Sequence, residues 1–404
     1  MAHARITTAV VGAGYVGLAT AVGLGEHGHD VVLVERDPGR LSALATGRIP
    51  FHEPGLPEGY AAQSRSGKVV PSADLPRGRL DLILICVGTP VDDAGLPNLS
   101  DVEHAHQVSA CRSRWFSMRN PEHAARGVRN AARSPVHHRH VAALRSPGEL
   151  AQGSALQEIR QPTRVVIGTF QDRPDAGAIA RVSDALTGPD TPVLVMRAEE
   201  ASLVKNASNV FLALRLTFAN EVAGLAEDLG VDVGPVLDGI GLDPRIGRAY
   251  MRPSYGFGGS CLPKEVRSMS SEGLDRGLPM HLTTGISQAN ADHQQRFGRR
   301  IADAVGGLAG KRIALLGLAF KDDTDDVRPS PALQLAARLI NGGADLRAHD
   351  PAAGENARRV LPDLAVVPTV EGALLGADAA VIATEWPYVR PWTGPRCARR
   401  CGSH

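Results

Sequence analysis

Short apolar runs separated by polar and glycine-rich stretches give the chain its rhythm. Ile6–Val11 has the length and β-rich character of a buried strand, Gly12–Gly17 reads as a tight turn, Leu18–His27 as a small-residue helix and Val31–Glu35 as a second strand, which together make a βαβ unit. The alternation continues to Leu82–Val87, ending at Gly88-Thr89-Pro90, as expected of a parallel doubly wound sheet that binds ligands at its strand C-terminal ends. Val165–Ile167 and Val193–Met196 read as later strands. A helical period then runs from Glu199 to about Gly230 and continues to Arg299, interrupted by a glycine-rich loop at Gly256–Cys261. Strand-like runs return at Ile313–Phe320, Ala344–His349 and Ala379–Ala383, with helical Leu333–Ile340 among them. The pattern predicts an α/β domain, a helical connector and a second α/β domain.

Composition narrows the function. The chain has 404 residues, enough for two or three domains, with 44 Lys+Arg against 43 Asp+Glu and only 4% aromatic residues. No overall positive excess draws it to nucleic acid or to an anionic membrane, and base-stacking platforms are not expected, so the predicted partner is a small molecule. Residues 6 to 25 carry no charge, as a spanning helix would, but Gly12, Gly14 and Gly17 break helical continuity and favour strand, turn, helix. Cysteines at 86, 111, 261, 397 and 401 make no secreted disulfide framework and fit a reducing cytoplasm.

Two stretches break the pattern. His104–Ser146 holds eight arginines against one acid, a local charge of +7 in a chain whose total is +1, with six histidines and no clear period. The Pro387–His404 tail has four arginines and no acid. A solvated loop, a nucleic-acid patch and a damaged coding sequence compete for them. His137, His138 and His140 lack acidic or cysteine neighbours at ligand spacing, so no metal site is expected.

Gly12, Gly14 and Gly17 form a dinucleotide-type turn. The first glycine turns the chain, the second lets backbone approach a pyrophosphate and the third packs helix on strand. Glu35, 23 residues after Gly12, stands where a carboxylate receives adenosine ribose hydroxyls, which favours NAD; Arg36 beside it could instead receive a 2′-phosphate. Gly256–Glu265 (GFGGSCLPKE) offers Cys261 as a soft nucleophile, Lys264 as the kind of neighbouring cation that activates thiols, and glycines that admit a ligand; a flexible loop with an inert cysteine is the alternative.

Taken with Ile49–Leu56, Val87–Pro90 and Leu316–Lys321, these stretches resemble the UDP-glucose/GDP-mannose dehydrogenase family, in family order and over most of the chain. The resemblance implies two Rossmann-like doubly wound domains joined by a central helical dimerisation domain: NAD-binding at 1–198, helical at 199–300 and UDP-sugar-binding at 308–404. It implies a homodimer that oxidises the C6 alcohol of a nucleotide sugar, UDP-glucose before GDP-mannose, to the carboxylate with two NAD through a cysteine thiohemiacetal and thioester, as part of polysaccharide biosynthesis. Cys261 matches the nucleophile, Lys205 and Asn209 the pair that steadies the oxyanion and orients water, and Glu265 stands where the family has a water-activating aspartate. Tyr15, Val16, Thr89, Lys264 and Arg328 join the glycines, Glu35 and Arg36 at the cofactor. Glu149, Leu150, Arg245, Tyr250, Met251, Phe257, Gly258, Phe320 and Lys321 fall at the sugar nucleotide, with Arg245 reaching across the dimer.

The departures are informative. Nothing in 104–146 resembles the family's Ser-Thr-Val-Pro-type loop, Gly148 stands at the catalytic glutamate with Glu149 one place off, Gln152 replaces a second glutamate, and the tail leaves the family pattern after Arg390. A shifted reading frame later restored accounts for the first stretch, and the loss of one strand from each α/β domain predicts marginal folding and impaired turnover, or a non-catalytic remnant.

Overall fold

A computed structural model describes residues 5–78, 80–90, 98, 100–109, 116–118, 141–145, 152–169, 176–186, 190–387 and 389. The chain divides into two compact units, Met1–Ser208 and Asn209–His404.

In the first unit β1 (Thr7–Val11), α1 (Tyr15–Glu26) and β2 (Asp30–Val34) form the expected βαβ, followed by α2 (Pro38–Ala45), α3 (Leu56–Arg65), β3 (Val69–Ser72), β4 (Leu82–Ile85), α4 (Ser100–Ser109) and β5 (Phe116–Met118). These strands make a parallel sheet of order β3-β2-β1-β4-β5. Its near-continuous apolar strands follow from burial on both faces: Val10, Leu82 and Leu84 pack into one core with Leu18 and Leu33, while Ala9, Ile83 and Ile85 pack into another with Leu75 and Val102. A second sheet joins β6 (Val141–Arg145), β7 (Val165–Thr169) and β8 (Val193–Arg197), with β6 antiparallel to β7; α5 (Ala155–Arg160) and α6 (Ala176–Leu186) lie between its strands in the chain.

Two expectations are corrected here. The run Leu82–Val87 is the fourth strand, because the short β3, with Pro71 on a sheet edge where its missing N–H is tolerated, precedes it. The arginine-rich stretch also supplies regular structure: α4 runs into it to Ser109, β5 pairs beside β4 through Ile83–Phe116 to Ile85–Met118, and β6 pairs with β7. The sheet edge expected to be uncovered beside β4 is therefore occupied.

The long helix α7 (Ala198–Asp228) follows the predicted period, and the unit boundary falls within it. The second unit continues with α8 (Val233–Gly241), α9 (Leu262–Asp275) and α10 (His281–Ala304). It then forms a parallel sheet of order β11-β10-β9-β12 from β9 (Arg312–Leu316), β10 (Asp345–His349), β11 (Ala365–Val366) and β12 (Ala379–Ile382), with α11 (Pro331–Asn341), α12 (Gly354–Val360) and α13 (Val370–Leu374). Trp386 and Val389, at the start of the odd tail, are buried against Leu316, Val370 and Leu374, so the chain is part of the core at least that far.

Candidate active site

The glycine turn of the first unit has a steric logic. Gly12 has φ +98, and a Cβ there would lie 2.9 Å from the Cys86 carbonyl oxygen at the end of β4. A Cβ on Gly17 would lie 1.8 Å from the Gly12 carbonyl oxygen, so the third glycine lets α1 pack on the turn. A Cβ on Gly14 meets nothing within 4 Å, so this position, at the α1 N-terminus, faces open space. A cradle with one open glycine between two crowded ones fits the pyrophosphate of a dinucleotide. Tyr15 packs its ring on Phe51 at 4.1 Å, and Val16 packs against the core. Thr89 is half-buried in the segment after β4.

Glu35 is buried at the end of β2, where its carboxylate accepts from the Ala13 N–H at 3.1 Å, the Asp37 N–H at 2.9 Å and the Arg40 guanidinium at 3.1 Å. It secures the glycine turn, from the position where the sequence predicts a ribose-binding carboxylate. Arg36 pairs instead with Asp101 of α4 at 2.8 Å, and Arg40 in the first turn of α2 is the cation beside Glu35, a role the sequence reading missed. Glu53 is a second missed residue: almost fully buried, it accepts from the N–H groups of Gly153 (2.7 Å) and Ala155 (2.9 Å), where the chain re-enters family-like sequence. Glu149 and Leu150 lie outside the described residues.

Lys205 and Asn209 are both buried, four residues apart on α7 and so on one helix face. Asn209 Nδ2 has no partner among the described residues.

In the second unit Cys261 is an exposed free thiol at the N-cap of α9, 3.8 Å from Ser260 Oγ. Glu265, one turn along, is fully buried and donates its backbone N–H to the Cys261 carbonyl at 2.9 Å. Lys264 is also buried, with Nζ 3.7 Å from Glu265 Oε1, so its charge is shared with that carboxylate. Two positions of the loop before the cysteine are crowded: a Cβ on Gly258 would lie 2.5 Å from the Pro329 carbonyl oxygen, and one on Gly259 3.0 Å from the Phe320 ring. Phe320, from the segment after β9, is thus brought against the cysteine loop, with half-buried Lys321 next in the chain. Met251 and Phe257 put their side chains into apolar clusters, whereas Tyr250 is exposed with φ +58. Arg328 is gripped by buried Asp326 through Nε at 3.0 Å and Nη2 at 3.1 Å. Arg245 is exposed and pairs with Asp243 at 2.6 Å, which holds the Asp243 carboxyl below its ordinary range. The Arg215 guanidinium grips the same loop through the carbonyls of Ile246 (2.7 Å) and Gly247 (2.6 Å).

Among the described residues no group of His, Cys, Asp and Glu could hold a metal ion, and no helix is long and apolar enough to cross a membrane.

Comparison with known proteins agrees with this geometry. Three models of the UDP-glucose/GDP-mannose dehydrogenase family match: the NAD binding domain over residues 6–113, the central domain over 199–292 and the UDP binding domain over 314–400. The first match ends inside the arginine-rich stretch, whereas the last extends past Arg390, where the family pattern was expected to stop. The chain is 36% identical to a UDP-glucose 6-dehydrogenase of Rhizobium meliloti (strain 1021), covering 94% of this chain and 90% of that one. It is 35% identical to one of Pseudomonas aeruginosa, covering 94% and 88%. A solved UDP-glucose dehydrogenase from the hyperthermophilic archaeon Pyrobaculum islandicum superposes with a TM-score of 0.86 at 36% identity, covering 95% and 91%. The chain belongs to the UDP-glucose/GDP-mannose dehydrogenase family and is an NAD-dependent oxidoreductase of nucleotide sugars.

Proposed function

We propose that this enzyme oxidises the C6 alcohol of UDP-glucose to UDP-glucuronate through covalent intermediates on Cys261. The observation that carries the reading is the exposed Cys261 thiol at the head of α9, one turn from fully buried Glu265 and beside a loop packed against Phe320. The Gly12–Gly17 turn and Glu35 would hold NAD, which when bound would supply the hydride acceptor for each oxidation, two for the four-electron change. Cys261 adds its sulfur to the C6 aldehyde left by the first oxidation, forming a C–S bond and a thiohemiacetal hydroxyl. Removal of the second hydride and the hydroxyl proton leaves a thioester. Water activated by Glu265 breaks the C–S bond, releasing the carboxylate and restoring the thiol. Alcohol, two NAD and one water thus give carboxylate, two NADH and three protons. Lys205 supplies positive charge where each oxygen becomes anionic, and Asn209, four residues along α7, offers an Nδ2 that has no partner among the described residues.

Domain limits of 1–198, 199–300 and 308–404 suit this division of labour, and a reducing cytoplasm suits an exposed catalytic thiol. The functional form is a homodimer. Phe211, Phe218 and Leu225 recur every seventh residue along α7 and are 46 to 61% exposed, an apolar stripe suited to a second copy, with Arg245 as the residue that crosses.

The test is NADH formation from UDP-glucose and NAD, with sugar consumption counted in parallel. Two NADH per sugar supports the reading. One NADH per sugar with aldehyde release removes the thioester step, turnover of GDP-mannose alone reassigns the substrate, and no turnover by folded protein identifies a non-catalytic member of the family.

A further inference from the structure

The loop that delivers Cys261 is held from one side by polar groups of a single helix. On α10, Asn290 accepts from the Phe257 N–H at 2.9 Å through Oδ1 and donates to the Phe257 carbonyl at 3.2 Å through Nδ2, so one amide pairs with both backbone groups of one residue. Three residues along the same helix, His293 donates from Nε2 to the Ser254 carbonyl at 2.7 Å. Ser254 is further fixed because its N–H donates to Asn220 Oδ1 of α7 at 2.8 Å, and its hydroxyl accepts from the Gly256 N–H at 3.2 Å. Gly256 lies directly against the helix: with φ +122, a Cβ there would stand 2.7 Å from Asn290 Oδ1 and 2.9 Å from Gln294 Nε2. These bonds address backbone, so they define the path of the chain whatever side chains the loop carries.

We infer that Asn290 and His293 are positioning residues for the reaction, clamping Ser254–Phe257 to α10 and so fixing where the glycine turn presents Cys261. The inference rests on the reading of Cys261 as the nucleophile. Only three residues separate Phe257 from Cys261, and beyond Phe257 the loop is held again by the Gly259 N–H donating to the Pro329 carbonyl at 3.0 Å. Release of the clamp leaves the segment before the turn held by the Asn220 bond to Ser254, with no bond to Phe257. A displacement of about 1 Å at a reacting atom is enough to cost on the order of a hundredfold in rate.

Asn290→Ala and His293→Gln separate the clamp from bulk packing. Two readouts are followed: kcat for NADH formation, and the rate at which iodoacetamide alkylates Cys261, read by peptide mass so that other cysteines do not interfere. Asn290→Ala is expected to lower kcat at least tenfold and change the alkylation rate at least threefold, with the KM for NAD within twofold of wild type. His293→Gln, which keeps an N–H donor but on a flexible chain in place of the rigid ring, is expected to fall between that variant and wild type. If Asn290→Ala does not fold, Asn290→Asp carries the same thresholds, because it keeps an acceptor for the Phe257 N–H and sets a second oxygen against the Phe257 carbonyl. Folded variants with kcat and alkylation rate both within twofold of wild type overturn the inference. Should wild type form no NADH, the functional reading fails, and the alkylation comparison alone then decides whether the clamp sets the thiol.

Discussion

Glu35 and Asp350 stand at the same place in two different sheets, each immediately beyond the strand next to the first, and each turns its carboxylate onto the turn that follows that first strand. Gly12 donates its N–H to Val34 at 2.8 Å and Gly317 donates to His349 at 2.8 Å, so the two turns begin alike. The carboxylates then diverge. Glu35 takes two backbone N–H groups and a guanidinium. Asp350 takes Leu318 and Ala319 through Oδ2 at 2.7 and 3.1 Å, Ala352 and Ala353 through Oδ1 at 2.9 and 2.7 Å, and the Trp386 indole N–H at 3.3 Å. A carboxylate has about four lone-pair sites, so Asp350 is filled by the protein and has nothing left for a ribose.

Asp350→Asn therefore tests a structural carboxylate rather than a ligand. Its amide nitrogen would face N–H donors whichever way it flips, leaving buried donors unpaired at about 1–3 kcal/mol. Urea unfolding should show a loss of that size, and the KM for UDP-glucose should rise because the Leu318–Lys321 segment loses its anchor. Unchanged stability would mean that the five donors do not depend on the charge.

Glu35 is expected to set the preference for NAD over NADP. A 2′-phosphate brought within about 4 Å of this carboxylate meets repulsion of about 4 kcal/mol per charge pair at an effective dielectric of about 20. Wild-type kcat/KM with NADP should be at least a hundredfold below that with NAD, and Glu35→Ser should narrow the ratio at least tenfold, because Arg36 and Arg40 remain nearby. A ratio unmoved by this change would take the discrimination away from Glu35.

Much of this was legible in the chain because it is local. Gly12–Gly17 and the four-residue spacings of Lys205 to Asn209 and Cys261 to Glu265 place chemistry within one turn of an element whose type the apolar pattern already declares. What was not legible comes from distance. Asn290 lies 33 residues from Phe257, His293 39 from Ser254, and Glu53 100 from Gly153, and each is an ordinary polar residue until the fold sets it against backbone. Arg36 looked like the cation at the cofactor turn because it follows Glu35, but α2 brings Arg40 to that carboxylate and α4 draws Arg36 to Asp101. Strand β5 escaped detection because three residues carry no period of their own and are defined by pairing with β4.

The glycines of the turn should separate folding from binding. Gly17→Ala drives a methyl into the Gly12 carbonyl, a backbone atom with little freedom to move, and should cost about 1–3 kcal/mol or abolish folding. Gly14→Ala meets no atom and has an ordinary φ of −76, so its Tm should stay within a few degrees of wild type while NAD binding weakens at least tenfold by calorimetry. If Gly14→Ala binds NAD normally, the open side of the turn is not the cofactor side.

His293 gives the second unit a pH dependence. Burial favours its neutral form, the Ser254 carbonyl opposes this, and Arg296 and Arg300 on the same helix reinforce it, so its pKa lies below the ordinary value of about 6.5. As pH falls the unfolded chain takes up the proton first, so the contribution to stability is full above about pH 6.5 and is lost as pH drops through the lower folded value. His293→Gln should flatten the unfolding free energy between about pH 7 and pH 5; an unchanged slope would assign it to other groups.

Replacement of Cys261 by serine isolates the covalent step. The exposed thiol is at the α9 N-cap and lies 3.8 Å from Ser260 Oγ, and the shorter C–O bond of serine fits there without displacing a neighbour. Folding and NAD affinity should stay within twofold of wild type, since no residue of the Gly12–Gly17 turn is altered. Serine lacks the readily formed anion and the soft sulfur that make a thioester both easy to form and easy to hydrolyse, so acid formation from UDP-glucose should fall at least a hundredfold. The corresponding aldehyde, supplied in place of the alcohol, should be oxidised no faster, because the block lies after the first oxidation. Acid formation at the wild-type rate in this variant would remove Cys261 from the mechanism and leave a hydrated aldehyde as the species oxidised in the second step.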